Sequence, residues 1–135
     1  MGGFPLDEVI KLGIALLLGA IVGFERERTH KPAGLRTHML VCLGATLATI
    51  ISISYFPQDN ARIVASLMTG IGFLCAGTII AQGKDVHGLT TAASVWVVAT
   101  IGIAVGVGYY TLASISALVV LLVLLFGKFE KKLTR

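Results

Sequence analysis

The sequence predicts an all-α transmembrane bundle of five helices, and three observations lead there together. Mean hydropathy is +0.89, and 56% of the 135 residues are hydrophobic. Only 13% are charged, where a soluble domain carries about 25%. The apolar residues also fall in five long blocks, spanning 9–24, 38–55, 63–81, 91–108 and 112–127. Each approaches the roughly 20 residues that a membrane crossing requires. A soluble chain this short has too little polar surface to cover such a core.

The first block follows Asp7 and Glu8, where a signal peptide would be basic, and it ends in charges instead of a small-residue cleavage site. It therefore reads as a retained helix, and Gly19 and Gly23 lie one turn apart on it. No helix breaker follows Phe24, so the helix should continue through Glu25–Arg28. Pro32 then forces a turn, and Gly34 relaxes the backbone before the second block. There Thr37 is the expected N-cap, and Cys42, Ala45, Thr46, Thr49 and Ser52 share one helical face. The third block carries Gly70, Gly72 and Gly77 in "GIGFLCAG". The fourth should be capped by Thr90 or Thr91, has Ser94 one turn on, and bears Gly102 and Gly106.

Helices in lipid gain nothing from hydrophobic association and rely on close approach through small residues. The glycine pairs therefore predict a compact bundle of blocks one to four. Their main use is packing within the chain, and a homo-oligomer contact is the other use. The fifth block, "ALVVLLVLLF", has few small residues and should face lipid.

Lysines and arginines are unevenly divided. Arg26, Arg28, Lys31, Arg36, Lys84, Lys128, Lys131, Lys132 and Arg135 fall on one side, with only Lys11 and Arg62 on the other. Positive residues stay cytoplasmic, which predicts an outside N-terminus and a cytoplasmic C-terminus. The net charge of +4 then reports orientation and contact with anionic lipid, and not nucleic-acid binding.

Six charges crowd the stretch "GFERERTHKPAGLRTHMLVCLG" from 23 to 44. Arg36 opens a helix whose dipole it opposes, so it needs an acceptor, and Glu25 across the hairpin is the expected partner. Two helix N-termini face the same side near Arg36, His38 and His87. Such N–H groups suit an anion, whereas Glu25, Glu27 and Asp85 suit a hard cation, and both readings stand. Cys42 and Cys75 lie inside apolar blocks as small hydrophobes, without the spacing of a metal or redox centre. No acid–base pair, nucleophile or phosphate loop is present, so neither an enzyme nor a cofactor is expected. Residues 63–81 and 89–127 carry no Asp, Glu, His, Lys or Arg, which argues against an ion pump or carrier.

Three strings in order resemble the MgtC/SapB family of bacterial inner-membrane proteins. They are "GFERERTHKPAGLRTHMLVCLGATL", "GIGFLCAGTII" and "HGLTTAASVWVVATIGIAVGVG". Together they run over 23–108, and Cys75 stands where many relatives have glycine. The resemblance implies a five-span protein of the inner (cytoplasmic) membrane linked to growth in scarce magnesium and to survival inside host cells. It implies action by binding other membrane proteins, the F-type ATP synthase among them, and not magnesium transport; a small channel or transporter for Mg2+ is the alternative. The motif positions it carries over are Glu25, Gly34, Leu35, Arg36, Thr37, Gly70, Gly72, Gly77, Gly88, Leu89, Thr90, Thr91 and Trp96. With His38 and Asp85 added from the residue reading, the cytoplasmic helix ends should meet in one polar site. Many relatives continue into a soluble domain after the fifth span, whereas a single transmembrane domain over 1–135 is expected here.

Overall fold

The computed structural model describes residues 5–82 and 84–134; Arg135, counted above among the cytoplasmic cations, lies outside them. Among the described residues five helices carry the fold: α1 (Leu6–Arg28), α2 (Leu35–Tyr55), α3 (Asn60–Ala76), α4 (Leu89–Gly106) and α5 (Tyr110–Leu133). Helices α2, α4 and α5 are long and apolar enough to cross a membrane, and α3 is a shorter apolar helix. Helix α1 has 23 residues, about 34 Å at the usual rise. Exposed leucine, isoleucine, valine and phenylalanine side chains run along the outside of α5 from Leu112 to Leu133. Apolar exposure of that extent is what a lipid-facing surface requires.

Helix α2 is the centre of the bundle, with α1 on one flank and α4 on the other. Glycine makes both approaches possible. A Cβ on Gly19 would sit 2.8 Å from the His38 carbonyl oxygen, and one on Gly23 would sit 2.9 Å from the Leu35 Cα. On the far flank, a Cβ on Gly102 would come within 2.5 Å of the Cys42 carbonyl, and one on Gly106 within 2.5 Å of the Thr49 Cβ. The buried face of α2, with Cys42, Ala45, Thr46, Thr49 and Ser52, is thus gripped between two glycine seams. Thr46 Oγ1 donates to the Gly102 carbonyl at 2.8 Å, adding a polar bond to the α2–α4 seam.

The third helix departs from expectation. It stops at Ala76 instead of reaching residue 81, and Ile80–Gln82 instead pair antiparallel with Asp85–His87 as a short hairpin. Gly77 and Thr78 end it locally: the Gly77 N–H donates to the Leu74 carbonyl and Thr78 Oγ1 donates to the Cys75 carbonyl at 2.8 Å. Only Cys75 of α3 is buried. A Cβ on Gly70 or Gly72 would meet nothing within 4 Å, so these glycines do not pack the bundle as expected. The compact core is α1, α2 and α4; α3 rests on α2 and α4, and α5 rests on α1 and α4. Helix α5 buries only Ala113, Ala117 and Leu124, the exposure its composition predicts.

The connection after α1 closes with a six-to-one hydrogen bond from Lys31 N–H to the Arg26 carbonyl and a five-to-two bond from His30 N–H to the Glu27 carbonyl. This Schellman arrangement puts His30 at φ 55°, a left-handed position that glycine usually occupies. The same pattern ends α4, with Gly108 at φ 84°.

Candidate functional site

The buried face of α1 descends through Ala15, Leu18, Gly19, Val22 and Gly23 to Glu25 and Arg26. Arg26 thus continues the glycine stripe by one turn and points the same way. It is only 4% exposed. Its Nη2 donates to Thr91 Oγ1 on α4 at 3.3 Å, and its Nη1 lies 3.5 Å from Glu25 Oε2. The Nε–H is buried and finds no acceptor among the described residues. A guanidinium has five donors, and burial makes each unfilled one costly. This arginine is therefore held in place but under-satisfied.

His38 of α2 is fully buried beside this group. Its Nδ1 lies 2.8 Å from the Gly34 carbonyl, and its Nε2 lies 2.9 Å from Ser94 Oγ on α4. A carbonyl only accepts, so Nδ1 must carry a hydrogen. Ser94 Oγ also lies 2.7 Å from the Thr91 carbonyl. One hydroxyl proton cannot serve both neighbours. With a neutral imidazole, Ser94 donates to Nε2; with an imidazolium, Nε2–H donates to Ser94, which turns to the Thr91 carbonyl. Glu25, Arg26, His38, Thr91 and Ser94 form one buried polar centre joining α1, α2 and α4.

The expected Glu25–Arg36 clamp is absent. Glu25 pairs with its neighbour Arg26, while Arg36 is exposed and makes no ion pair among the described residues. The reason lies at the start of α2. Glu27 Oε2 accepts the Leu35 N–H at 2.9 Å, so a carboxylate already offsets the helix dipole that Arg36 was expected to burden. Gly34 permits this, because a Cβ there would collide with the Glu27 carboxylate. The helix also begins two residues before Thr37, which is therefore interior and not a cap. At α4 the cap is Gly88, at φ 84° and pressed against the Thr78 carbonyl, so neither Thr90 nor Thr91 caps. Thr91 turns inward to Arg26 and Thr90 stays exposed. Asp85 is exposed on the hairpin and makes no ion pair among the described residues, and Trp96 is 48% exposed.

Two cavities flank the contact between α1 and α5. One, of about 420 Å³, is the more polar: it gathers Arg26, Lys31, Lys128 and Lys131 with Glu25, Glu130, Thr29, Thr90 and Thr134, beside Val123, Leu124 and Gly127. The other, of about 530 Å³, is almost wholly apolar and is lined by Leu17, Ile21, Phe24, Leu121 and Leu125 among others. Glu25 and Lys128 border both. Desolvation, then the nearby Lys131 and Arg26 charges, push the Lys31 ammonium below its usual pKa, against an opposing pull from Glu25.

Of the site residues expected from sequence, the structure brings Glu25, His38 and Thr91 into the polar centre and places Thr90 at the polar cavity. It leaves Arg36, Thr37, Asp85 and Trp96 outside both. It adds Arg26 and the lysines of α5. Arg26 was legible as the next member of the stripe through Gly19 and Gly23; the α5 lysines had no periodic signal, because helix pairing alone brings them near.

A model of the MgtC family matches residues 12–133. The chain belongs to the MgtC family. That match runs from within α1 to the last residue of α5 and includes every member of the polar centre. Protein SapB of Bacillus subtilis (strain 168) is 40% identical over 126 residues, covering 86% of this chain and 54% of SapB. The putative magnesium transporter YhiD of Escherichia coli (strain K12) is 38% identical over 125 residues, covering 86% of this chain and 58% of YhiD. Protein MgtC of Salmonella typhimurium (strain LT2) is 41% identical over 113 residues, covering 84% of this chain and 49% of that protein. The chain spans about half the length of these curated relatives. No solved structure matches it.

Proposed function

We propose that this MgtC-family chain is a regulatory module of the bacterial inner membrane that acts by binding other membrane proteins and catalyses no reaction. In this reading all five helices span the bilayer, the N-terminus is outside, and the polar centre and C-terminus face the cytoplasm. Its work belongs to growth in low magnesium and survival within a host, and the F-type ATP synthase is a candidate partner. The observation that carries the reading is the pair of glycine seams behind the polar centre. Gly19, Gly23, Gly102 and Gly106 bring three helices to contact distances at which even a methyl group would collide. A core closed this tightly suits a rigid platform for a partner better than a path for a hydrated ion. Affinity capture from detergent-solubilised membranes, with partners identified by mass spectrometry, tests it. Recovery of a defined membrane complex supports the reading; capture of no membrane protein overturns it.

A second reading, magnesium transport, is favoured by the name of YhiD, a putative magnesium transporter 38% identical to this chain. Magnesium flux into proteoliposomes containing the purified chain separates the two. Flux above that of empty vesicles would replace the regulator with a transporter.

A further inference from the structure

We propose that the base of the α1–α5 groove is a binding site for an anionic glycerophospholipid, its phosphate in the polar cavity and an acyl chain in the apolar one. The inference rests on the membrane placement given above and not on any protein partner. Four cations, Arg26, Lys31, Lys128 and Lys131, face two carboxylates, Glu25 and Glu130, in the polar cavity. The excess is positive, and one of the cations is the deeply buried Arg26 whose Nε–H has no acceptor among the described residues. A phosphate in that cavity meets this positive excess, and lysine and arginine side chains match it in charge. Lys31 sits below its usual pKa through desolvation first, and then through the Lys131 and Arg26 charges that share the cavity with it.

A free phosphate would satisfy these cations but leave the second cavity unexplained. That cavity is apolar, lies between the same two helices and shares Glu25 and Lys128 with the first. A ligand with an anionic head and a hydrocarbon chain matches both. Basic pockets between membrane helices bind phospholipid headgroups on the same logic.

The test uses the full chain, purified in mild detergent and delipidated, then titrated with dioleoyl phosphatidylglycerol. Bound lipid is counted by native mass spectrometry, with dioleoyl phosphatidylcholine as the chain-matched control. Lys128 and Lys131 are exposed, so Lys128→Gln and Lys131→Gln leave the fold intact. Selective retention of phosphatidylglycerol, weakened about fivefold by each substitution, is expected from the usual worth of a basic residue near anionic lipid. Leu121→Gln in the apolar cavity should weaken it as well. Equal retention of both lipids, or retention unchanged in the lysine variants, overturns the site. Competition by inorganic phosphate at millimolar concentration, with no lipid-chain requirement, reassigns it to a free anion and overturns the lipid. Partner capture proceeds with or without this lipid, so failure here leaves the proposed function standing.

Discussion

Glycine-to-alanine substitution should have opposite consequences at two positions that look alike in sequence. At Gly102 a new Cβ would lie 2.5 Å from the Cys42 carbonyl oxygen and 2.9 Å from the Ala45 Cβ. Both are backbone or near-backbone atoms of a helix gripped on its other side by Gly19 and Gly23, so relief requires α2 and α4 to separate. Ordinary contact lies close to an ångström further out. Overpacking of this kind costs about 1–3 kcal/mol. Separation also stretches the Thr46–Gly102 hydrogen bond, and interhelical bonds in membranes contribute about 0.6 kcal/mol. Alanine returns at most about 1 kcal/mol through its helix propensity. A net loss of about 1–3 kcal/mol is expected. At Gly72 a Cβ meets nothing within 4 Å, so only the propensity gain of up to about 1 kcal/mol remains. Unfolding of both variants in detergent, followed by helix signal against denaturant, reads the difference. Equal stabilities would refute the glycine-seam account of the core. A loss at Gly72 that depends on protein concentration would instead place a second copy of the chain on α3.

Arg26→Gln should destabilise by about 3 kcal/mol, because it strands the buried Glu25 carboxylate, while Arg36→Gln should stay within about 0.5 kcal/mol as an exposed change; the same denaturation assay compares them. Ser94→Ala should cost about 1–3 kcal/mol by leaving His38 Nε2 without its partner in the interior, and an unchanged midpoint would refute the His38–Ser94 bond. His30→Gly should stabilise or be neutral, within about 1 kcal/mol, because glycine relieves the left-handed φ while loosening the unfolded chain; a loss above that would mean the imidazole has work of its own. Lys31 should titrate below an ordinary lysine, followed by amine-directed labelling against pH, and Lys131→Gln should move it back upward. Since the folded form releases this proton more readily than the unfolded form, stability should rise with pH between the lowered value and the ordinary lysine value of 10.5.

Much of this was legible because composition and small-residue spacing report how helices meet. The stripe from Cys42 to Ser52 and the glycines of α1 and α4 identified the faces that form the core. The same rule misled at Gly70 and Gly72, because spacing marks a face suited to close approach without saying whether a neighbour occupies it. At the arginines, proximity to the start of an apolar run marks Arg36, but helical phase decides burial, and phase puts Arg26 in line with Gly19 and Gly23. Glu27 as the partner of the Leu35 N–H could not be read from a pattern, since it depends on how tightly the chain turns between His30 and Gly34. The hairpin after α3 was hidden by its apolar strand, which prolongs the run of α3 without a break in polarity.

The two cysteines occupy the two kinds of interface in this bundle. Cys42 is wedged between both glycine seams, touching the approach of Gly19 on one side and of Gly102 on the other. Cys75 is the one buried residue of α3, its thiol donating to the Ala92 carbonyl at 3.2 Å. Both are free thiols, so each reacts with an alkylating reagent only when its own interface opens. The native chain thereby carries two internal clocks. The slower one times the parting of the central helices, and the faster one times the lifting of α3 from their side.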